Sequence, residues 1–403
     1  MNTLLPGCAL RNRRLHLGVC GSAAAYKAVE VMRMLQRSGV SVGVCLTEAA
    51  QRFISPLTFA ALEASPVYTR FFADDEGVFA HLEPGGCAHA MLIAPAGAAT
   101  LARLAGGSAD TLLAAQALAF DGPLLLAPAM NPRMWAHPAT RRNMEILLER
   151  GARCIRPADG RAACGDTGEG KLAPVPEIVF AAAAALLPQD WAGRRVLLTL
   201  GPTRERWDDV RYWSNPSTGR MGAALACAAA LRGAAVSAVA GPGVPALPAP
   251  VRRIDVVSAE DMLAAALEVW PHADTGIFAA AVADFAPTPY GAGKFKKSGA
   301  ASLSVDFTRN PDILGELGKL ARPEQKILGF AAESENLEAN ARGKLRAKKM
   351  HLTAANLLGR PDSGFGGDKN TLYVVDCRGR EEHWQAMSKA DAAWRLLDWL
   401  STL

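Results

Sequence analysis

The sequence predicts an α/β protein built from two doubly wound, Rossmann-like units. Three observations predict it. Short apolar runs alternate with stretches of helical period. The alternation restarts near residue 190. The first apolar run of each half ends in a glycine turn that leads towards a helix.

In the first half, 15–19 (LHLGV) reads as a strand, Gly21-Ser-Ala-Ala-Ala-Tyr-Lys27 as a turn, and 28–37 as a helix stopped by Ser38-Gly39. Strands follow at 40–46, 90–94 and 124–127, the last two each followed by proline, with a helical stretch at 110–120. These runs are nearly continuous in apolar residues, as expected of parallel strands covered on both faces. Residues 181–193 read as a closing helix and a linker. The second half has strands at 195–200, 235–240, 277–281, 327–331 and 372–375, an alanine-rich helix at 221–231, and a Pro/Gly loop at 241–250. The predicted domains are therefore 1–188 and 189–403.

Composition bounds the function. The 403 residues are 50% hydrophobic and 21% charged, which excludes disordered and collagenous chains. The net charge of +5 is too mild to argue for nucleic acid and suits local phosphate sites equally well. The longest small-apolar run, 181–187, is too short to span a membrane. No secretory signal is expected, because the basic residues follow the N-terminal apolar stretch instead of preceding it. The eight cysteines lack CxxC or zinc-finger spacing, so free thiols in a reducing, cytoplasmic setting are expected. Most of them should be small buried hydrophobes.

Candidate chemistry sits at strand ends. Gly21 and Ser22 follow the first strand, where backbone N–H groups can cradle an anion, although a helix cap is an equal reading. The turn is not GxGxxG, which argues against a nicotinamide dehydrogenase. Asn131, in Ala-Pro-Ala-Met-Asn131, can hold an amide or a carboxylate, or merely start a turn. His81 is a candidate catalytic histidine, with a structural role as the competing reading. Cys164 lies in the glycine-rich stretch Cys-Gly-Asp-Thr-Gly-Glu-Gly-Lys171, a loop in which a thiol can act as an acid or nucleophile.

Taken in order, GSAAAYK, the His81 segment, PAMN and Cys-Gly-Asp-x-Gly-x-Gly resemble the homo-oligomeric flavin-containing cysteine decarboxylases. The resemblance implies a flavodoxin-like, FMN-binding domain that decarboxylates 4′-phosphopantothenoylcysteine to 4′-phosphopantetheine without net redox change. The substrate thiol is oxidised, carbon dioxide leaves, and the electrons return. On this resemblance His81 is the active-site histidine, Asn131 binds the substrate carboxylate and Cys164 donates the final proton. Gly21, Ser22 and Thr47 contact FMN, with Met130 beside it. The sequence departs from the family pattern at Pro84-Gly-Gly-Cys-Ala-His89, at Gly97, where a hydroxyl is usual, and at 109–112.

In the second half, Ser217-Thr-Gly219 opens the alanine-rich helix, and hydroxyls with glycine at a helix start suit a triphosphate. Arg204, Arg211 and Asn215 lie nearby in sequence. Asp284 ends a strand and can serve Mg²⁺ beside phosphates. Lys294-Phe-Lys-Lys297 is either a solvated face or a phosphate clamp. GPTRE, SNPSTGRMG, AAVAD, KFKK, NPDI and GFAAE together resemble the phosphopantothenate–cysteine ligase domain. The whole chain is thus similar to the bifunctional phosphopantothenoylcysteine decarboxylase/phosphopantothenate–cysteine ligase family of coenzyme A synthesis.

That resemblance implies CTP as co-substrate, Mg²⁺ as cofactor, and 4′-phosphopantothenate and L-cysteine as substrates, joined through an acyl-cytidylate. Asn215 binds the acyl phosphate, while Lys294, Lys297, Lys344 and Lys348 contact phosphates. Asp284 serves the metal or ribose, Phe330 flanks cytosine, and Asn310 lies in the nucleotide site. Trimeric decarboxylase units and dimeric ligase units are implied, possibly as a dodecamer. A ligase with an inactive flavin unit and a flavin-binding regulatory subunit are the competing readings.

Overall fold

The computed structural model describes residues 2–71, 79–161, 165–296, 302–357 and 367–403. The chain divides into Gly7–Pro188 and, together with Thr3–Pro6, Gln189–Leu403.

The first unit is a six-stranded sheet in the order β3-β2-β1-β4-β5-β6. Its strands are β1 (Arg14–Val19), β2 (Ser41–Leu46), β3 (Val67–Tyr68), β4 (Ala90–Ala96), β5 (Leu124–Pro128) and β6 (Arg153–Cys154). All the pairings are parallel. Every residue of β4 is buried, so the strand shows no inside–outside alternation. Helices Lys27–Gln36, Ala98–Gly106, Leu112–Leu118, Pro138–Glu149 and Val175–Leu186 connect or close the sheet. Thr111 caps the fourth-strand crossover helix by accepting the Ala114 N–H. The core gathers Ile93, Leu101, Leu113, Leu126 and Leu147. The doubly wound class is as expected. The strand order, 3-2-1-4-5-6, is that of dinucleotide folds, however, and not the 2-1-3-4-5 of flavodoxin. A separate hairpin, β7 (Ala158–Arg161) with β8 (Thr167–Lys171), follows the sheet.

The second unit begins with β9 (Arg195–Pro202) and an antiparallel arm of β10 (Arg204–Arg206) and β11 (Tyr212–Ser214). It continues with β12 (Ala235–Ala240), β13 (Arg252–Asp255) and β14 (Thr275–Ala281). A second arm joins β15 (Phe285–Pro287) to β16 (Phe307–Arg309). Then come β17 (Lys326–Glu333), β18 (Leu352–Leu357), β19 (Lys369–Asp376) and β20 (Glu381–Ser388). The eight-stranded sheet runs β13-β12-β9-β14-β17-β18-β19-β20, and only β19 opposes the others. Trp270, Phe278, Met262, Leu317 and Tyr373 form part of its core.

Both sheets therefore reverse winding beside their first strand, between β1 and β4 and between β9 and β14. Ligands of open α/β sheets bind in the crevice outside the strand C-termini at such points. The alanine-rich helix Arg220–Leu231 packs so closely on β9 that a Cβ on Gly222 would lie 2.3 Å from the Leu200 Cβ.

Candidate functional site

In the first unit, Gly21, Ser22, Thr47, Met130 and Asn131 all fall just beyond the C-terminal ends of β1, β2 and β5. A Cβ on Gly21 would meet the Ala49 Cβ at 2.6 Å, so glycine allows the turn after β1 to lie against the turn after β2. The helix begins only at Lys27. The expected cradle of helix-start amides is thus corrected to a turn. Within it Ser22 Oγ accepts the Ala24 N–H at 3.2 Å and the Ser22 carbonyl accepts the Ala25 N–H at 2.9 Å. The Thr47 hydroxyl is also engaged, donating to the Val19 carbonyl at 3.3 Å and accepting from the Ala50 N–H at 3.2 Å.

Asn131 caps the short helix Pro132–Ala136, its Oδ1 accepting the Arg133 N–H at 2.8 Å. Its Nδ2 donates to the Asp166 carboxylate at 2.5 Å, and the Arg133 guanidinium reaches the same oxygen at 2.8 Å. Asn131 therefore starts a turn, as one of its two readings expects, and its side chain is fixed by Asp166. Met130 and Gly170 are joined by the Met130 N–H, which donates to the Gly170 carbonyl at 2.9 Å and docks β8 on this turn. Cys164 lies outside the described residues.

His81 is half-buried in the turn before the Glu83–Cys87 helix, its ring 6.3 Å from that of Phe71. The segment around it is fastened by side chains that the sequence did not single out. Gln116, fully buried, donates to the Ala80 carbonyl at 2.9 Å, and its Oε1 lies 2.9 Å from His16 Nε2. Burial pushes the His16 pKa down to about 4, against the opposing hydrogen bond from Gln116. The Tyr68 hydroxyl donates to Glu83. No sequence spacing signals this network, because its members are as far apart as 100 residues.

The second unit holds a cavity of about 500 Å³ along the C-terminal edge of its sheet. Asn215, Asp284, Asn310, Phe330, Lys344 and Lys348 all line it. Asn215 Nδ2 donates to the carbonyls of Ala281 (3.3 Å) and Val282 (3.0 Å), which fixes its side chain beside the end of β14. Asn310 Nδ2 donates to the Ala283 carbonyl at 2.7 Å, and the Asn310 N–H donates to the Asp284 carbonyl at 2.9 Å. Gly219, at φ 68°, heads the alanine-rich helix, and its N–H donates to Ser217 Oγ at 3.3 Å. Each lysine is held by a carboxylate: Lys344 by Glu333 at 2.6 Å and Lys348 by Asp312 at 2.9 Å. Burial alone would raise the Asp312 pKa, but Lys348 and the Gly315 amide outweigh it and lower it.

Of the four other cationic candidates, the three that are described do not line this cavity. Lys294 is exposed on a loop and is not part of this lining, and Lys297 lies outside the described residues. The Arg204 guanidinium stacks on the Tyr212 ring, 4.6 Å from its centroid. Arg211 is bound by Asp208 at 2.5 Å. Asp208 is an unforeseen hub: it is fully buried and also accepts N–H bonds from Val210 (2.8 Å), Arg211 (2.6 Å) and Phe295 (3.0 Å). Burial acts to raise its pKa, yet these donors hold it at about 2. Among the described residues no three His, Cys, Asp or Glu side chains cluster as a metal centre. A cation beside Asp284 would therefore take most of its ligands from phosphates and water, as Mg²⁺ commonly does. Cys8, Cys87 and Cys377 are exposed, which corrects the expectation of buried thiols. No helix among the described residues is long and apolar enough to cross a membrane.

The fold defines a doubly wound α/β protein of two units, each with a winding switch point at the C-terminal edge of its sheet. Residues 7–187 match the flavoprotein family, and residues 191–403 match the DNA/pantothenate metabolism flavoprotein C-terminal domain. The chain is 39% identical over 98% of its length to the coenzyme A biosynthesis bifunctional protein CoaBC of Bacillus subtilis, covering 98% of that protein. It is 40% identical over 91% of its length to the Haemophilus influenzae protein of the same name, covering 91% of it. A solved structure of the C-terminal domain of such a protein is 33% identical, covering 53% of this chain and 97% of that one with a TM-score of 0.45. The chain belongs to the CoaBC family of bifunctional coenzyme A biosynthesis enzymes.

Proposed function

We propose that the chain joins 4′-phosphopantothenate to L-cysteine at the expense of CTP and then decarboxylates the product to 4′-phosphopantetheine. The observation that carries this reading is the single cavity on which Asn215, Asp284, Asn310, Phe330, Lys344 and Lys348 converge. A carboxylate is a poor acyl donor and needs activation, here by attack on the α-phosphate of CTP with loss of pyrophosphate. Asn215, its side chain oriented by two carbonyls, binds the acyl phosphate. Lys344 and Lys348 offset charge on the phosphates and are held in place by Glu333 and Asp312. Asp284 serves the ribose or a phosphate-bound Mg²⁺, and Phe330 flanks the cytosine. The amine of cysteine then displaces CMP.

The first unit fits FMN at the crevice after β1, β2 and β5, where Gly21 keeps a turn close-packed and free of a side chain. Bound flavin supplies the electron sink that decarboxylation requires and side chains lack. Asn131 is suited to the substrate carboxylate, its side chain oriented by the Arg133 N–H and Asp166 at the end of β5. His81 lies beside the reacting group, and Cys164 returns the proton. The setting is cytoplasmic, and the assembly is homo-oligomeric. The two arms support ligase-unit dimers, because they expose Tyr212, Trp213, Phe285 and Phe307 by 41–54%.

Purified protein should be yellow. Given phosphopantothenate, cysteine and CTP, it should form CMP, pyrophosphate, carbon dioxide and 4′-phosphopantetheine in equal amounts. Accumulation of phosphopantothenoylcysteine would instead identify a ligase with an inactive flavin unit.

A further inference from the structure

One end of the ligase cavity is lined by groups that the nucleotide reading leaves unused. Asn370, near the start of β19, and Lys389, the first residue of the last helix, both line it, and each is only 6% exposed. The sheet sets them side by side. Asn370 pairs with Met387 and Lys369 with Ser388, and the Lys389 N–H donates to the Asp368 carbonyl at 3.1 Å.

Neither side chain is satisfied among the described residues. Asn370 Oδ1 is buried and has no donor, while Nδ2 reaches only the Met221 sulfur at 3.4 Å. Turning the amide over does not cure this, because Oδ1 would then face a thioether that donates nothing. The Lys389 ammonium makes no hydrogen bond or ion pair among the described residues. Burial, and after it Arg220, lower its pKa, while Asp368 raises it. A buried acceptor without a donor is unfavourable until a ligand completes it, and an unpaired ammonium at the cavity wall attracts an anion.

The two groups together specify that ligand. Asp368 is paired with Arg220 at 2.8 Å, so the end of the cavity carries about one positive charge in excess. A polyphosphate would bring several negative charges and offer Asn370 Oδ1 only further acceptors. An α-amino acid offers one carboxylate and an N–H donor on the same carbon. We propose that Asn370 and Lys389 form the subsite of the amino-acid co-substrate, with Lys389 taking the α-carboxylate and Asn370 Oδ1 an amine N–H. The amine lone pair stays unshared for the acyl carbonyl. This assignment rests on the ligase reading above.

The test compares L-cysteine with cysteamine, which lacks the carboxylate, as the acceptor in the CTP-dependent reaction. Wild-type enzyme should prefer L-cysteine. In Lys389→Met that preference should fall at least tenfold, and KM for cysteine should rise at least tenfold more than KM for CTP. Lys389→Arg should restore much of the preference. Asn370→Leu should raise KM for both amines, and it keeps the test decisive if Lys389→Met does not fold. An unchanged preference in Lys389→Met, or a rise confined to KM for CTP, would overturn the subsite alone. Wild-type enzyme that releases no pyrophosphate from CTP and phosphopantothenate would overturn the ligase reading and the subsite with it.

Discussion

The two units share one strand order around the switch point but finish their C-terminal edges differently. In the flavin unit the polar groups beyond the strands are engaged with each other: Ser22 with Ala24, Thr47 with Val19 and Ala50, and Asn131 with Asp166. In the ligase unit the edge opens into a charged cavity in which two lysines are held by carboxylates, and the buried Asn370 Oδ1 has no donor among the described residues. The first arrangement suits a resident group that brings its own chemistry, and the second suits substrates that come and go and react through charge. The lesson is that one backbone topology supplies the crevice, while the side chains at its rim decide what kind of ligand it serves.

The largest expected effect breaks the two apart. Asn215→Ala should slow ligation by about 10²–10³, the usual cost of losing one preorganised donor at a developing charge. Decarboxylation of supplied phosphopantothenoylcysteine should be untouched. Cys164→Ser should give the reciprocal pattern. Assays of each half-reaction on each variant check this.

The next effect is confined to the flavin unit. His16 has a folded pKa of about 4 and an ordinary unfolded one near 6.5, so the unfolded state binds more protons between those values. Stability should be intact above pH 6.5 and fall by up to about 3 kcal/mol as the pH drops to 4. Hydrogen exchange of the β1 and β4 amides should show it, and His16→Gln should flatten the dependence. The equivalent strands of the ligase unit serve as the internal control.

Smaller effects sharpen the comparison from the other side. Gly222→Ala should destabilise the ligase unit by roughly 1–3 kcal/mol through overpacking against Leu200, as read by its melting transition. Thr111→Ala should destabilise the flavin unit by only about 1 kcal/mol, through loss of a helix cap.

Much of this was legible in the sequence, for physical reasons. Strands such as β4 are buried on both faces, so they read as unbroken apolar runs. Asp284 and Phe330 line the ligase cavity towards the ends of such strands, which made them conspicuous, whereas Asn215 stood out through its motif. What stayed hidden depends on contacts between distant segments. Nothing local marks His16 and Gln116 as partners or Asp208 as a four-bond hub. Lys389 looks like an ordinary charge at the start of a helix, and only the β19–β20 pairing places it beside Asn370 in the cavity. Arg204 and Arg211 fit a phosphate site by composition, yet Tyr212 and Asp208 occupy them.

The claim that two separable chemistries share one chain is tested most directly by mixing two impaired variants. Asn215→Ala alone should make 4′-phosphopantetheine from phosphopantothenate, cysteine and CTP about 10²–10³ more slowly than the wild type. Cys164→Ser alone should form phosphopantothenoylcysteine but no 4′-phosphopantetheine. Their mixture should restore the rate of product formation, because the intermediate made by one is consumed by the other. A mixture as slow as Asn215→Ala alone, with both proteins folded and flavin-loaded, would contradict the account.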